Sequence, residues 1–538
     1  MIYDALIIGF GPVGTTTANL LARRGLRVGV VESELGIYDK PRALTFDHEV
    51  MRIFQACGLA DRVAPFTTPH RGTHFLGVDG RVIKKFEPMA PPYPLGWPPT
   101  STFVQPELER VLREGVTGQS VELFLGHRAL DFSQDEHCVD LSVRDLGGKD
   151  RVLRARALLG CDGANSFVRK RLGIGIEDLG FDEWWMVVDV RITQSVELPP
   201  RSIQYCWPSR PSTFVPGPGN LRRWEIKLLP GEDPDEFGRP DNVVRQIGRF
   251  VDTSRVEIWR SAVYRFHALL AQRWRDRRVF LLGDACHQTP PFLGQGMCAG
   301  IRDAANLAWK LERVLRQGAP DALLDSYELE RKPHVRALVA TAKEFGLIIG
   351  ELDPEAARIR DETLRGQLER GEAETIRQRF VPNLTAGIID DEPGARAAGT
   401  LFVQPKIQHR ALPDEMGEVL LDDLLRFGFL IAATTAEPQT WLTAESREVW
   451  RRLGGEQIVI GSPNQTHHPD ASGGNDVRYL VETDALFVTW MSQHNCAAVV
   501  VRPDRYVFGT ANDAMQLNRL VAAVGRHVLR TDRGGLLP

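Results

Sequence analysis

An N-terminal βαβ signature, an aromatic-rich β region in mid-chain and a renewed α/β pattern near the C-terminus predict an α/β fold. The expected architecture is a Rossmann-like dinucleotide-binding domain, an antiparallel β-sheet inserted into it, and a further α/β domain. Residues 3 to 9 read as an apolar strand, 12 to 24 as an Ala/Leu-rich helix and 27 to 32 (RVGVVE) as a second apolar strand. That is the βαβ unit.

Around 104 to 114, VQPELERVLRE has helical spacing, and 119 to 160 holds alternating strands (VELFLG, CVDLSVRD, VLRARALLGCDG) with a turn at Gly147-Gly148. Both extend the first unit. From about 181 the segments WWMVVDV, SIQYCW, STFVPG and RRWEIKLLPG, broken by Pro and Gly, suit an inserted antiparallel sheet able to roof a binding site. The chain then returns to an apolar strand (RRVFLLGDA) and a long amphipathic helix (IRDAANLAWKLERVL), with more helix to about 349. A charged helical connector follows. After about 398, LFVQPKI, FLIAATTA, QIVIGS, ALFVTW, AAVVVRPDRYVFG and a terminal helix form the last α/β pattern. The expected boundaries are 1–180 and 280–349 for the two parts of the dinucleotide domain, 181–279 for the sheet, 350–397 for the connector and 398–538 for the third domain.

At 538 residues the chain exceeds what one hydrophobic core usually supports. Its net charge is only −4, with both signs interspersed, so neither nucleic acid nor an anionic membrane is an expected partner. No apolar run reaches the roughly 18 residues of a bilayer span, and the chain enters a strand without a leader-like segment, which predicts a cytoplasmic protein. Seven cysteines without a Cys-x-x-Cys pair fit reduced thiols, and no metal site is expected.

Gly9, Gly11 and Gly14, with Pro12 and Val13 between them, stand at a strand-to-helix turn. Missing β-carbons there permit a tight turn, approach to a pyrophosphate and close helix packing, and the helix N-terminus faces the phosphate charge. Glu32, followed by Ser33, ends the next strand where a carboxylate can accept hydrogen bonds from ribose hydroxyls. This motif alone does not choose between NAD and FAD. A second fingerprint, GDACHQTPPFLGQG from Gly283, brings Asp284, Pro291, Gly294, Gln295, Gly296 and Met297 to the start of a helix at 297 to 316. Backbone N–H groups there would stabilise the negative charge of a reduced flavin. A plain NAD dehydrogenase has no use for it.

With LGCDGANSFVRKRLG (Asp162, Gly163, Ser166, Arg169) between these two motifs, the chain resembles the class A flavoprotein aromatic hydroxylases, whose DG and GD motifs occur in this order. Within them it is most similar to the 3-(3-hydroxyphenyl)propionate hydroxylase group, through the PRA segment at Pro41, FVQP at Phe103, WWMVVDV, RRWEIKLLPGE, RDAANLAWKL and QHNCAAVVVRPDRYV. The resemblance implies a Rossmann-like FAD-binding domain with an inserted β-sheet substrate domain and a thioredoxin-like C-terminal domain. Lacking Cys-x-x-Cys, that last domain is not expected to be redox-active. It further implies that Asp284 holds the ribityl chain, that residues 291 to 296 curl around the flavin ring, that Arg42 and Gln105 contact the phosphates and ribityl chain, and that Asp162 and Gly163 meet FAD and, transiently, the nicotinamide donor. Where the family commonly has Asn, this chain has Cys298, read as a small buried thiol.

The implied reaction uses FAD, NAD(P)H with NADH favoured, and O2. Oxygen adds to the reduced flavin to give a C4a-hydroperoxide, which hydroxylates a small phenolic aromatic such as a 3-hydroxyphenylpropionate-like acid. An alternative is a tailoring hydroxylase of a polyketide, quinolone or drug-like aromatic. Phenolate is attacked more easily than phenol, so an acceptor near the hydroxyl would help; candidates are His48, Tyr205, His287 and the carbonyl of Pro290 or Pro291. Trp185, Tyr205, Trp207, Phe214 and Trp224 form an expected aromatic roof, of which one or two touch the substrate, and Arg210, Arg222 or Arg223 could meet a substrate carboxylate. A homodimer is the expected assembly.

Overall fold

The computed structural model describes residues 2–395, 397–412, 415–435, 437–462 and 477–530. The buried apolar strand Ile2–Ile8 sits at the centre of the first sheet, parallel to Val28–Glu32 on one side and to Asp150–Gly160 on the other. Val121–Leu125 and Val279–Leu281 extend it in parallel, so the chain leaves this sheet near Gly160 and returns to it more than a hundred residues later. The helix Pro12–Arg23 packs against it and against the helix Gly296–Gln317.

Between these visits the chain builds a second eight-stranded sheet, antiparallel except for one pair, centred on the long strands Ile176–Ile192 and Val256–Ala271. Two of its strands, Thr73–Leu76 and Val82–Phe86, come from within the segment expected to belong wholly to the dinucleotide domain. Its outer face buries Met186, Val188, Phe214, Trp224 and Ile226 beneath the helices Pro234–Phe237 and Pro240–Ile247. The other face looks toward the glycine motifs.

The third unit is a five-stranded mixed sheet in the order Val477–Val481, Glu456–Gly461, Leu430–Ala433, Ala498–Val501, Val507–Ala511, flanked by helices, as expected of a thioredoxin-like domain. Of its apolar segments, ALFVTW is a helix, Leu486–Gln493, because the Glu482 carboxylate accepts the N–H groups of Phe487 and Val488 and so starts it. This unit is joined to the Gly296–Gln317 helix by Trp309 edge-on against Phe429 and by buried charge. Lys310 and Arg502 both donate to Glu330, and Arg502 and Trp309 donate to Asp504. Burial alone would raise Glu330, but the Arg502 and Lys310 charges outweigh it and hold its carboxyl at about 2. Among the described residues no helix is long and apolar enough to cross a membrane.

Candidate functional site

Backbone conformation requires glycine at the first turn. Gly9 has φ +100°, and a β-carbon on it would strike the carbonyl of Cys161, while one on Gly14 would strike the carbonyl of Gly9. Helix and strands therefore close to backbone contact. Glu32 accepts the Phe10 N–H at 2.8 Å and the N–H of Glu34 at 2.9 Å, and Ser33 donates to it, so the carboxylate braces the turn from outside the cavity wall.

The other two motifs are bolted together. Ser166 caps the helix Phe167–Arg171, and Arg169 donates to the carbonyls of Ala285 (2.7 Å) and Ala164 (2.9 Å), linking the Asp162-Gly163 turn to the Gly283 turn. Gln105 accepts the N–H groups of both Arg42 and Ala43 and donates to Glu109, fixing the segment that carries Arg42 ahead of the strand Thr45–Asp47. The Arg42 guanidinium lies over Tyr38 and is exposed.

A cavity of about 570 Å³ runs between these motifs and the inner face of the second sheet. Gly11, Pro12, Val13, Arg42, Gln105, Gly163, Asp284, Pro291, Gly294, Gly296 and Met297 line it; Gln295 and Asp162 stand just behind its wall. Asp284 is surrounded by protein yet opens onto the cavity, and burial pushes its carboxyl up, tempered by His287 and Arg42. A more open groove of about 750 Å³ near Arg275 and Asp321 contains none of the motifs.

These residues fit FAD. A β-carbon on Gly11, Gly163 or Gly296 would meet no protein atom within 4 Å, although all three line the cavity, so the glycines leave room that the fold itself does not use. The buried Asp162 Oδ1 has no hydrogen-bond partner, whereas its Oδ2 accepts the Val168 N–H. The helix Gly296–Gln317 points its N-terminus at the same space, entered from Gly294 at φ +60°.

The inner face of the sheet overturns the aromatic roof. In the pairing of Ser212–Pro216 with Leu221–Lys227, Thr213 faces Glu225 and Val215 faces Arg223 on the cavity side, while Phe214 and Trp224 pair on the opposite face. Strand residues alternate between faces, so the large aromatics sit one step out of register with the site. Tyr205 packs on Trp207 and Phe250, also away from the cavity. Trp185 is buried behind Phe266 and Phe292, which line the cavity together with Phe86 and Tyr264.

Of the candidate acceptors, Pro291 is at the wall, its carbonyl already taking the Gly294 N–H. His287 is not there: it is buried, bonded to Asp303 at 2.7 Å and stacked near Trp274, with Asp303 held by Arg331. Its environment is a structural ion cluster. His48 is buried at the start of the helix His48–Ala56, outside the cavity wall. Arg210 pairs with Glu232, Arg222 donates to local carbonyls, and Arg223 is at the wall but held by Asp189 and the carbonyls of Pro41 and Arg42. Cys298 is buried, its thiol pushed up to about 12 by burial.

Sequence reasoning missed His70, Ser202, Gln204, Thr213, Glu225 and Arg377, all at the wall. Thr213 donates to the Gln204 carbonyl at 2.5 Å, leaving the Gln204 amide N–H groups as donors. His70 accepts the Gly72 N–H at Nδ1, so Nε2 carries the proton and donates to Ser202. Burial pushes the Glu225 carboxyl up, opposed by Arg223.

Burial also lowers His48 to about 4, and His334 falls well below its usual value. An unfolded histidine titrates near 6.5, so the unfolded chain takes up protons first as pH falls from about 6.5 towards 4, and folding stability falls with it. His48 alone should remove about 2 kcal/mol between pH 7 and pH 5. Urea midpoints at those two values measure the loss; equal midpoints would contradict neutral buried imidazoles.

Together, fold and cleft define a dinucleotide-binding flavoprotein. Residues 2–342 match the family described as FAD binding domain, and residues 399–527 match the HcaD C-terminal domain. The chain is 34% identical over 527 residues to a probable NADH-specific resorcinol 4-hydroxylase of Rhodococcus jostii, covering 97% of this chain and 95% of that one. It is 31% identical to a 3-(3-hydroxy-phenyl)propionate/3-hydroxycinnamic acid hydroxylase of Comamonas testosteroni, covering 98% and 96%. Its fold matches that of the flavin-dependent monooxygenase PieE, solved with FAD and substrate, at a TM-score of 0.79 and 23% identity over 98% and 99% of the two chains. The chain belongs to the FAD binding domain family and is an FAD-dependent aromatic hydroxylase.

Proposed function

We propose that this enzyme hydroxylates a small phenolic aromatic, of the size of resorcinol or a 3-hydroxyphenylpropionate, with NADH as the electron donor. The observation that carries the proposal is the single continuous cavity in which the flavin motifs meet a chamber walled by Phe86, Phe266, Phe292 and Val215 and edged by Ser202, Gln204, Thr213 and Glu225. Apolar walls with a few placed polar groups suit a flat phenol. The flavin, when bound, would pass electrons from NADH to O2 and activate it, so that one oxygen atom of O2 enters the ring and the other leaves as water.

In this reading the chain's own residues divide the work. Gly11, Arg42 and the N-terminus of the Pro12–Arg23 helix receive the diphosphate, and Asp284 the ribityl chain. The backbone from Pro291 to Met297 holds the ring, with the Gly296–Gln317 helix supplying N–H donors to its anionic edge. Glu225 and Gln204 are placed to meet the phenol hydroxyl; burial raises the Glu225 carboxyl, which makes its carboxylate the more basic and so the proton acceptor of the pair. Phe266 and Phe292, backed by Trp185, keep water from the chamber.

Purified protein with FAD should oxidise NADH and consume O2 faster when resorcinol, 3-(3-hydroxyphenyl)propionate or simple phenols are added, and yield a ring-hydroxylated product by mass spectrometry. Stimulation by none of them would remove the small-phenol reading and leave a tailoring hydroxylase of larger aromatics. The nicotinamide donor and seven unpaired cysteines support a cytoplasmic location. A homodimer completes the proposal, and sedimentation velocity would read it as one or two times 60.2 kDa.

A further inference from the structure

Arg377 stands in the connector, far in sequence from every flavin motif, on the short helix Arg377–Phe380. That segment is clamped in place. Gln378 donates to the Pro99 carbonyl and the Thr100 hydroxyl at 2.9 Å each, Phe380 packs edge-on against Phe345, and the Glu87 N–H bonds the Thr375 carbonyl. The Arg377 side chain reaches from there to the cavity wall and donates to the Leu293 carbonyl. It lies so close to the turn that a β-carbon on Gly294 would come within 2.7 Å of its terminal nitrogen.

What distinguishes this guanidinium is the lack of a counter-charge. Arg223 and Arg265, which share the wall, are paired with Asp189 and Asp182. Among the described residues no carboxylate lies within 4.0 Å of Arg377, and its buried Nε has no hydrogen-bond partner. The nearby Asp47 is already held by Arg302 and Gln295, Cys298 is a neutral thiol, and His70 is a neutral imidazole fixed between Gly72 and Ser202. Burial lowers the Arg377 guanidinium from its usual value, the opposite of what a resident carboxylate would do. Arg42, at the glycine-turn part of the same cavity, is the guanidinium available to the diphosphate.

We propose that Arg377 is an anion-binding subsite of the substrate chamber and that it takes the carboxylate of a phenolic acid. A planar fork with unused donors matches a carboxylate bidentately, and the pair would neutralise a cation the fold leaves uncompensated. The inference rests on the hydroxylase reading above and narrows it, because resorcinol offers no group for this subsite.

The test compares 3-(3-hydroxyphenyl)propionate with its carboxamide, equal in size but uncharged, on the FAD-loaded enzyme and on Arg377→Gln and Arg377→Lys. Binding is read from the flavin absorbance and turnover from NADH oxidation. The wild type should bind the acid about 10- to 100-fold more tightly than the amide, Arg377→Gln should bring that ratio close to one, and Arg377→Lys should keep part of it. Equal binding of acid and amide by the wild type, or equal weakening of both in the Gln variant, overturns the subsite. So does loss of FAD affinity with the acid preference intact, which would assign the guanidinium to the flavin. If the Gln variant does not retain FAD, the Lys variant decides, an undiminished preference overturning the proposal. Resorcinol turnover without any advantage for the acid would sink the subsite and keep the hydroxylase reading. Arg377-dependent acid binding without hydroxylation of any phenol would do the reverse.

Discussion

Arg302→Met should cost the folded enzyme about 3–5 kcal/mol and loosen FAD at the same time. Arg302, on the Gly296–Gln317 helix, is buried between two carboxylates: it bonds Asp47 and Glu49, and its third arm donates to the Gln295 carbonyl at 2.8 Å. Gln295 in turn donates to Asp47, whose other oxygen caps the helix His48–Ala56, and Tyr506 of the third unit donates to Glu49 at 2.9 Å. One side chain therefore joins the flavin-ring loop, the segment after Arg42 and the C-terminal domain. Burial alone would raise Asp47, but Arg302 and the Gln295 bond outweigh it and hold the carboxyl below its usual range. Methionine fills the volume and removes the charge, leaving both carboxylates buried without a cation.

The pH dependence gives this prediction a sign. In the wild type Asp47 contributes stability that is complete above the unfolded carboxylate range near 4 and lost below it. In Arg302→Met the same carboxyl is raised, so the variant is penalised above pH 4 and relieved as the group protonates. The stability gap between the two should therefore narrow from pH 7 to pH 4, and the double variant with Asp47→Asn should be less damaged than the two single effects summed. FAD affinity should drop by about 10²-fold, since a small displacement of Gln295 moves the ring loop. A gap that stays constant with pH, or FAD binding that is unaltered, would place the network outside the flavin site.

That network also shows what the sequence could and could not reveal. The glycine motifs were legible because their backbone needs glycine, as the Gly9 and Gly14 contacts require. The βαβ unit, the inserted sheet and the last α/β unit were legible from periodicity. Side-chain destinations across the inserted sheet were not, since a one-residue step moves every side chain to the opposite face. Aromatic size drew attention to Phe214 and Trp224, while their smaller neighbours Thr213, Val215 and Glu225 face the cavity. His287 sits inside the fingerprint and still points away, into Asp303. Arg377 carries no local signal at all, because only tertiary structure brings the connector to Leu293.

The same three-carbon change made at two glycines of one motif should fail in two different ways. Gly11 has φ −74° and ψ −174°, a conformation open to any L-residue, and a β-carbon there meets no protein atom within 4 Å. Gly11→Val should therefore fold, losing only about 1 kcal/mol at the helix start, where valine is a poorer cap than glycine. Its branched side chain would occupy cavity space opened by the turn, so the protein should be recovered colourless, with an FAD dissociation constant raised at least about 10²-fold. At Gly14 the added β-carbon would instead run into the Gly9 carbonyl and crowd Cys161, contacts within the protein itself. Gly14→Val should lower the thermal midpoint of the apoprotein and its yield whether or not FAD is present. Circular dichroism of the two apoproteins separates fold from ligand, and flavin titration of Gly11→Val decides the assignment. If Gly11→Val binds FAD as the wild type does, the first glycine turn does not carry the diphosphate, and the cavity beside it would have to serve the nicotinamide donor or the substrate instead.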